Sequence, residues 1–276
     1  MKKLLTSLSL LVSLFSCFAS HSSTLTKDLL KASSKLKGID QRLCLFLAED
    51  LSDGEEGLSI EWLTVGKSFH DDSQAISQKS FNSAISILQK SNSGKSLLSE
   101  LERNGIKDKY EPISIHIGNV NDLINTNAPT AFNSMISTSP KTKSLPFIVF
   151  NSTVINQNQI SNKKIATILA NELYDILGRL VGDDELTATS NYQALGIVLS
   201  DLMIQRDMAE LNRPVTRHEV VHSYSKAFKN YSQFVPPIKY ESLSTEQKKS
   251  LDKLTQLSTG NLFQSFEELT DEVLKA

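Results

Sequence analysis

The chain has 276 residues, 39% hydrophobic and 22% charged, with 29 Lys and Arg against 31 Asp and Glu. Such a content supports one globular domain of ordinary size or two small ones and excludes a disordered chain. The slight acidic excess excludes the basic surface through which proteins hold nucleic acid.

The opening stretch, MKKLLTSLSLLVSLFSCFAS, sets Lys2 and Lys3 before an apolar run from Leu4 to Phe15 and then small residues. This is the pattern of a bacterial secretory signal peptide, and the run is too short for an ordinary membrane-spanning helix. The expected product is exported, periplasmic or secreted, with no transmembrane segment in the mature chain. Two processing readings compete. Cys17-Phe18-Ala19 before Ser20 resembles an ordinary signal-peptidase site, making residues 1–19 the signal. Leu14-Phe15-Ser16-Cys17 resembles a lipobox with Phe in its second position, ending the signal before Cys17 and placing a lipid anchor there. Loss of Lys2 and Lys3 leaves 27 basic against 31 acidic side chains. After simple cleavage Cys44 is the remaining cysteine, and within Leu43-Cys44-Leu45-Phe46-Leu47 it reads as a small buried hydrophobe.

Residues 20–110 form a helical N-terminal region. Leu25, Leu29, Leu30, Leu36, Ile39, Leu43, Leu45, Phe46, Leu47 and Leu51 predict two amphipathic helices broken near Gly38. The acidic piece Glu49 to Gly57 is expected to be a loop, Ile60 to Val65 a short strand, and His70-Asp71-Asp72 an exposed turn. Helices follow over about Gln74 to Gln89 and Lys95 to Arg103, the second ending at Asn104-Gly105. Although Asn92-Ser93-Gly94-Lys95-Ser96 ends like a phosphate loop, it lacks the first glycine and the preceding strand.

Residues 111–233 form a strand-and-helix region. Ile113, Ile115 and Ile117 alternate on one face of a strand with His116 on the other, facing polar surroundings. Asn119 to Lys143 is expected to be a long polar loop, and Leu145 to Phe150 a buried strand. Ser161 caps a helix reaching Leu180, and acidic Asp183-Asp184-Glu185 starts another reaching about Leu211. Pro214 then belongs in the first turn of a further helix. The tail, residues 234–276, holds amphipathic helices over about Ser244 to Leu257 and Leu262 to Leu274.

His218-Glu219-Val220-Val221-His222 is an HExxH sequence. On a helix the two histidines lie four residues apart on one face, where both imidazoles reach one Zn²⁺, and Glu219 stands beside them to take a proton from metal-bound water. Val220, Val221, Tyr224, Ala227, Phe228 and Tyr231 form the opposite, apolar face. The flanking Val215-Thr216-Arg217 and Ser223-Tyr224 also fit the zinc-peptidase pattern. Lys226 and Lys229 fall on the histidine face, where cations oppose a metal. A third ligand is needed: Glu246 is the first candidate, followed by Glu241, Glu267 and Glu268, with His116 or Glu185 from upstream.

A second segment, Pro146 to Gly182, runs strand, loop, then LANELYDIL. It resembles the zincin metallopeptidases, in which a strand leads into the helix carrying HExxH, but Asn171 and Asp175 stand in the two histidine places. Asn is a poor zinc ligand, so this resemblance implies a dead or altered copy. The expected fold is α+β, predominantly helical with a small central β-sheet, zincin-like through that resemblance. The expected activity is hydrolysis of peptide or protein substrates by an exported zinc metallopeptidase, with His218, His222 and Glu246 on Zn²⁺ and Glu219 as general base. The alternative is a non-enzymatic exported or envelope binding protein on a degenerate zincin scaffold. No Gly-x-Ser-x-Gly supports a serine hydrolase.

Overall fold

The computed structural model describes residues 25–51, 60–66, 68, 76, 78–119, 130–136, 143–158, 160–181, 184–207 and 213–275. The signal segment, Cys17, most of the acidic loop before Gly57, and the His70-Asp71-Asp72 turn lie outside them. The chain forms two compact units, each built from two separated stretches: residues 1–78 with 109–159, and residues 79–108 with 160–276. These divisions fall elsewhere than the three consecutive regions expected after the signal.

The first unit holds the sheet. Helix α1 (25–33) and helix α2 (Ile39–Leu51) are separated as expected at Gly38, whose φ of 66° is the left-handed conformation a glycine adopts at low cost. Four strands follow in the order β1-β2-β4-β3: β1 (Leu63–Val65), β2 (Ile113–Gly118), β3 (Ala131–Ile136) and β4 (Leu145–Asn151). β1, β2 and β4 are parallel, and β3 runs antiparallel along β4. β3 lies inside the stretch expected to be loop. A short helix α6 (Ser152–Asn158) closes this part and packs on β2 and β4; the short helix α5 (Ile106–Lys109) falls mostly in the second unit.

Strand alternation decides what the helices cover. Leu145, Phe147 and Val149 share a face of β4 and pack with Leu29, Leu43, Cys44, Leu47, Ala48 and Leu51 of α1 and α2. Each large side chain in that cluster contributes roughly 1.5–3 kcal/mol by leaving water. Cys44 is unbridged and buried, and burial pushes its thiol pKa up, in keeping with a small hydrophobe.

The second unit is helical. It contains α3 (Gln78–Lys90), α4 (Asn92–Arg103), α7 (Asn162–Val181), α8 (Asp184–Thr187) and α9 (Ser190–Ile197). A π-helical turn (Val198–Ile204) then leads to α10 (Gln205–Asp207). α11 (Arg217–Tyr231), α12 (Thr245–Ser258) and α13 (Phe266–Lys275) complete it. The single helix expected from Asp183 onward is interrupted, because Thr189 accepts a hydrogen bond from the Tyr192 N–H and starts α9 afresh. Tyr174 and Tyr192 stack at the centre with ring centroids 4.8 Å apart, and the Tyr192 hydroxyl donates to the Tyr174 carbonyl. Among the described residues no helix is long and apolar enough to cross a membrane. The architecture is α+β and predominantly helical with a small mixed sheet, as expected.

Candidate functional site

HEVVH occupies the first two turns of α11, but the helix begins later than Pro214. Thr216 is the N-cap: its hydroxyl accepts from the Glu219 N–H, and the Thr216 N–H donates back to the Glu219 carboxylate at 3.0 Å. This reciprocal pair satisfies two backbone donors that a helix start leaves without partners. Glu219 is therefore the third residue of the helix and is bent toward its beginning.

Arginines complete the binding of that carboxylate. Arg213 donates through both terminal nitrogens, at 2.8 and 3.1 Å, and Arg206 donates to the same oxygen as the shorter of these bonds. The Arg213 hydrogen bonds, then the Thr216 N–H, hold the Glu219 pKa down at about 2. Next along the helix, Arg217 bonds the Leu262 carbonyl and Glu268 at 2.8 Å and lies over the Phe263 ring, tying the start of α11 to α13.

His218 and His222 are exposed, and Val220, Val221, Tyr224 and Ala227 are buried on the opposite face, as the periodicity requires. Lys226 and Lys229 are exposed as well. Glu246 is exposed in the first turn of α12, and Glu241 and Glu267 are also exposed. Glu268 is held by Arg217 and by the Gln264 N–H, the latter being the larger cause of its lowered pKa. Among the described residues no three His, Cys, Asp or Glu side chains converge so that they could hold a metal ion. Among the described residues HEVVH thus has its two histidines without a third converging ligand beside them. The Glu185 side chain lies outside the described residues.

The NELYD positions sit near the middle of α7. Asp175 accepts from the Gln193 side chain of α9 at 3.2 Å, and the Asn171 side-chain oxygen packs against Gly196, where a Cβ would come within 2.7 Å of it. Glu172 is buried. These places are filled by contacts between α7 and α9.

A third constellation, which the sequence reading passed over, lies in the sheet unit. Asp50, the penultimate residue of α2, is 2.6 Å from Nδ1 of His116, and Nε2 of His116 is 2.9 Å from the Ser114 hydroxyl. The other oxygen of Asp50 accepts from the Ser68 N–H at 2.7 Å, and the Ser68 hydroxyl donates to the first at 3.0 Å. The order Ser, His, Asp is that of a hydrolytic triad, but His116 is 0% and Ser114 1% exposed, which closes them to a substrate. Phe46 of α2 covers the imidazole edge-on at 5.9 Å, and Gly66 makes the space, since a Cβ there would lie 1.7 Å from the Asp50 carboxylate. Only the alternation that puts Ser114 and His116 on one face of β2 was visible in the sequence. His116 does face polar partners, but inside the core.

Comparison with known proteins adds no relative: no family model, curated protein or solved structure matches the chain.

Proposed function

We propose that the protein is exported and works by binding rather than catalysis, on a degenerate zincin-like scaffold. The signal segment supports delivery to the periplasm or the medium, or to the envelope through a lipid on Cys17. One observation carries the choice between binding and peptidase chemistry: the state of Glu219. A general base needs a lone pair aimed at the water it deprotonates and a pKa near the working pH. Both oxygens of Glu219 accept from arginines and from the helix start, and its pKa of about 2 makes it a weak base. The scaffold part of the reading is supported by chain order, since β4 leads through α6 into α7 with Asn171 and Asp175 one turn apart.

The second reading, a zinc peptidase using His218, His222, Glu219 and Glu246, is favoured by one specific observation. Both imidazoles are exposed, one turn apart on a well-capped helix. Zinc content and peptide cleavage of the purified mature protein separate the two. The binding reading expects no stoichiometric zinc after growth or reconstitution with zinc, and no cleavage of a casein substrate that Glu219→Gln abolishes. One zinc per chain together with Glu219-dependent cleavage would overturn it.

A further inference from the structure

We propose that the helical unit binds a small amphiphilic anion, a carboxylate or phosphate head on a short apolar body, in a cleft between α4, the end of α7 and α12. This rests on the binding-protein reading and names its ligand class. The cleft has a volume of about 690 Å³, inside the ~300–1,000 Å³ range typical of small-molecule sites.

Its lining is mixed. Leu177 and Val181 of α7 and Leu254 and Leu257 of α12 are apolar. Lys95, Arg103 and Lys253 bring cations, with the carboxylates of Glu100 and Asp207. Both carboxylates already have partners. Glu100 pairs with Lys253 at 2.8 Å and Arg103 at 3.2 Å, and Asp207 accepts from the Ser93 N–H and hydroxyl, each at 2.6 Å. Asp207 thereby fills the positive end of α4, and Gly94 N–H is taken by the Ser91 hydroxyl, so the helix start is not the seat of the ligand's charge.

Among the described residues Lys95 is paired with no acceptor, while Lys253 also donates to the Asn104 side-chain oxygen at 3.4 Å, so the Lys95 ammonium leads at an incoming anion and Arg103 and Lys253 assist. An ammonium has three donors and a guanidinium five, more than the Glu100 carboxylate and the Asn104 oxygen accept among the described residues. The apolar lining residues then select a ligand with hydrocarbon next to its charge over a bare inorganic ion. Among the described lining residues there is no aromatic ring on which a nucleobase would stack, which disfavours a nucleotide.

The test is a titration of isotope-labelled mature protein with sodium octanoate, followed by amide chemical shifts. Octyltrimethylammonium, octyl glucoside and inorganic phosphate serve as parallel arms. The expected result is saturable octanoate binding with shifts concentrated in α4, the end of α7 and α12. Lys95→Glu should weaken it at least about tenfold, which corresponds to about 1.4 kcal/mol. Leu257→Asn, an independent variant at an apolar lining residue, should weaken octanoate while leaving the weaker phosphate response unchanged. The proposal is overturned if octanoate does not saturate, if the cationic or neutral amphiphile binds as well, if phosphate binds as tightly, or if both variants bind like the parent. Zinc content and casein cleavage are measured separately, so failure here is distinguishable from failure of the binding-protein reading.

Discussion

Replacing Asp50 by Ala tests whether the buried Asp50–His116–Ser114 chain holds α2 on the sheet. The carboxylate accepts from His116 Nδ1, the Ser68 N–H and the Ser68 hydroxyl. The Ser68 hydroxyl can turn away, and the half-buried Ser68 N–H can find water. His116 cannot, because its ring is fully buried. Moving its proton to Nε2 would leave Nδ1 an acceptor without a donor, so either tautomer keeps one unsatisfied nitrogen. A stranded buried polar group costs about 1–3 kcal/mol, and removing one partner of a buried pair about 3–5, so the expected loss is about 3–5 kcal/mol. Trp62, the one tryptophan of the chain, is 2% exposed in the same unit, and its fluorescence reports on this unit. With a urea slope of about 2 kcal/mol/M, the midpoint should fall by about 1.5–2.5 M at unchanged slope. Asp50→Asn keeps an acceptor oxygen and should lose about half as much. A midpoint for Asp50→Ala within about 0.3 M of the parent would refute a holding role for the chain.

The helical unit gives further checks. Gly178→Ala should destabilise by about 1–3 kcal/mol although alanine is the better helix former, since the new Cβ would lie 2.2 Å from the Tyr192 hydroxyl oxygen; a far-UV melt at or above the parent's would contradict the packing described. His218→Ala and His222→Ala should each change stability by less than about 0.5 kcal/mol, because both side chains are exposed; differential scanning calorimetry with and without added zinc measures this, and a large zinc-dependent stabilisation of the parent alone would favour the peptidase reading. Glu219 has its folded pKa lowered from 4.5 to about 2, so its contribution is present above about pH 4.5 and lost as pH falls toward 2. The melting temperature of Glu219→Gln should therefore depend less on pH than the parent's between pH 5 and 2, and parallel curves would mean that the capping and arginine contacts contribute nothing.

The regular elements were legible where pattern and burial agree. β2 and β4 have continuous or alternating apolar residues because they occupy the interior of the sheet, and the helices of α1, α2, α7 and α12 follow 3.6-residue stripes. β3 was hidden because it is an edge strand, mostly half-buried, with Phe132, Met135 and Ile136 spread among polar residues. The break at Thr189 and the π turn after α9 were hidden because a stripe of apolar residues continues across them. The contact between Asp50 and His116 spans 66 positions and depends on how α2 lies on β2, which periodicity does not encode.

HEVVH and the Asn171–Asp175 segment stand at different places in their helices. HEVVH has the ligand types, but it starts at the second residue of α11, where the Thr216-Arg217-His218-Glu219 run is also a capping box. A glutamate at that place completes the helix start, and Arg206 and Arg213 reinforce the same orientation. Asn171-Glu172-Leu173-Tyr174-Asp175 has the placement, following a strand and lying about ten residues into a long helix, where no cap competes for its side chains. Its outer positions, however, carry an amide and a carboxylate directed at Gly196 and Gln193. A zinc helix at α7 would take two histidine substitutions and the displacement of α9, whereas at α11 it would require Glu219 to give up its cap and both arginines. Their helix positions make HEVVH a capped helix start and put the Asn171–Asp175 segment in the middle of a long helix.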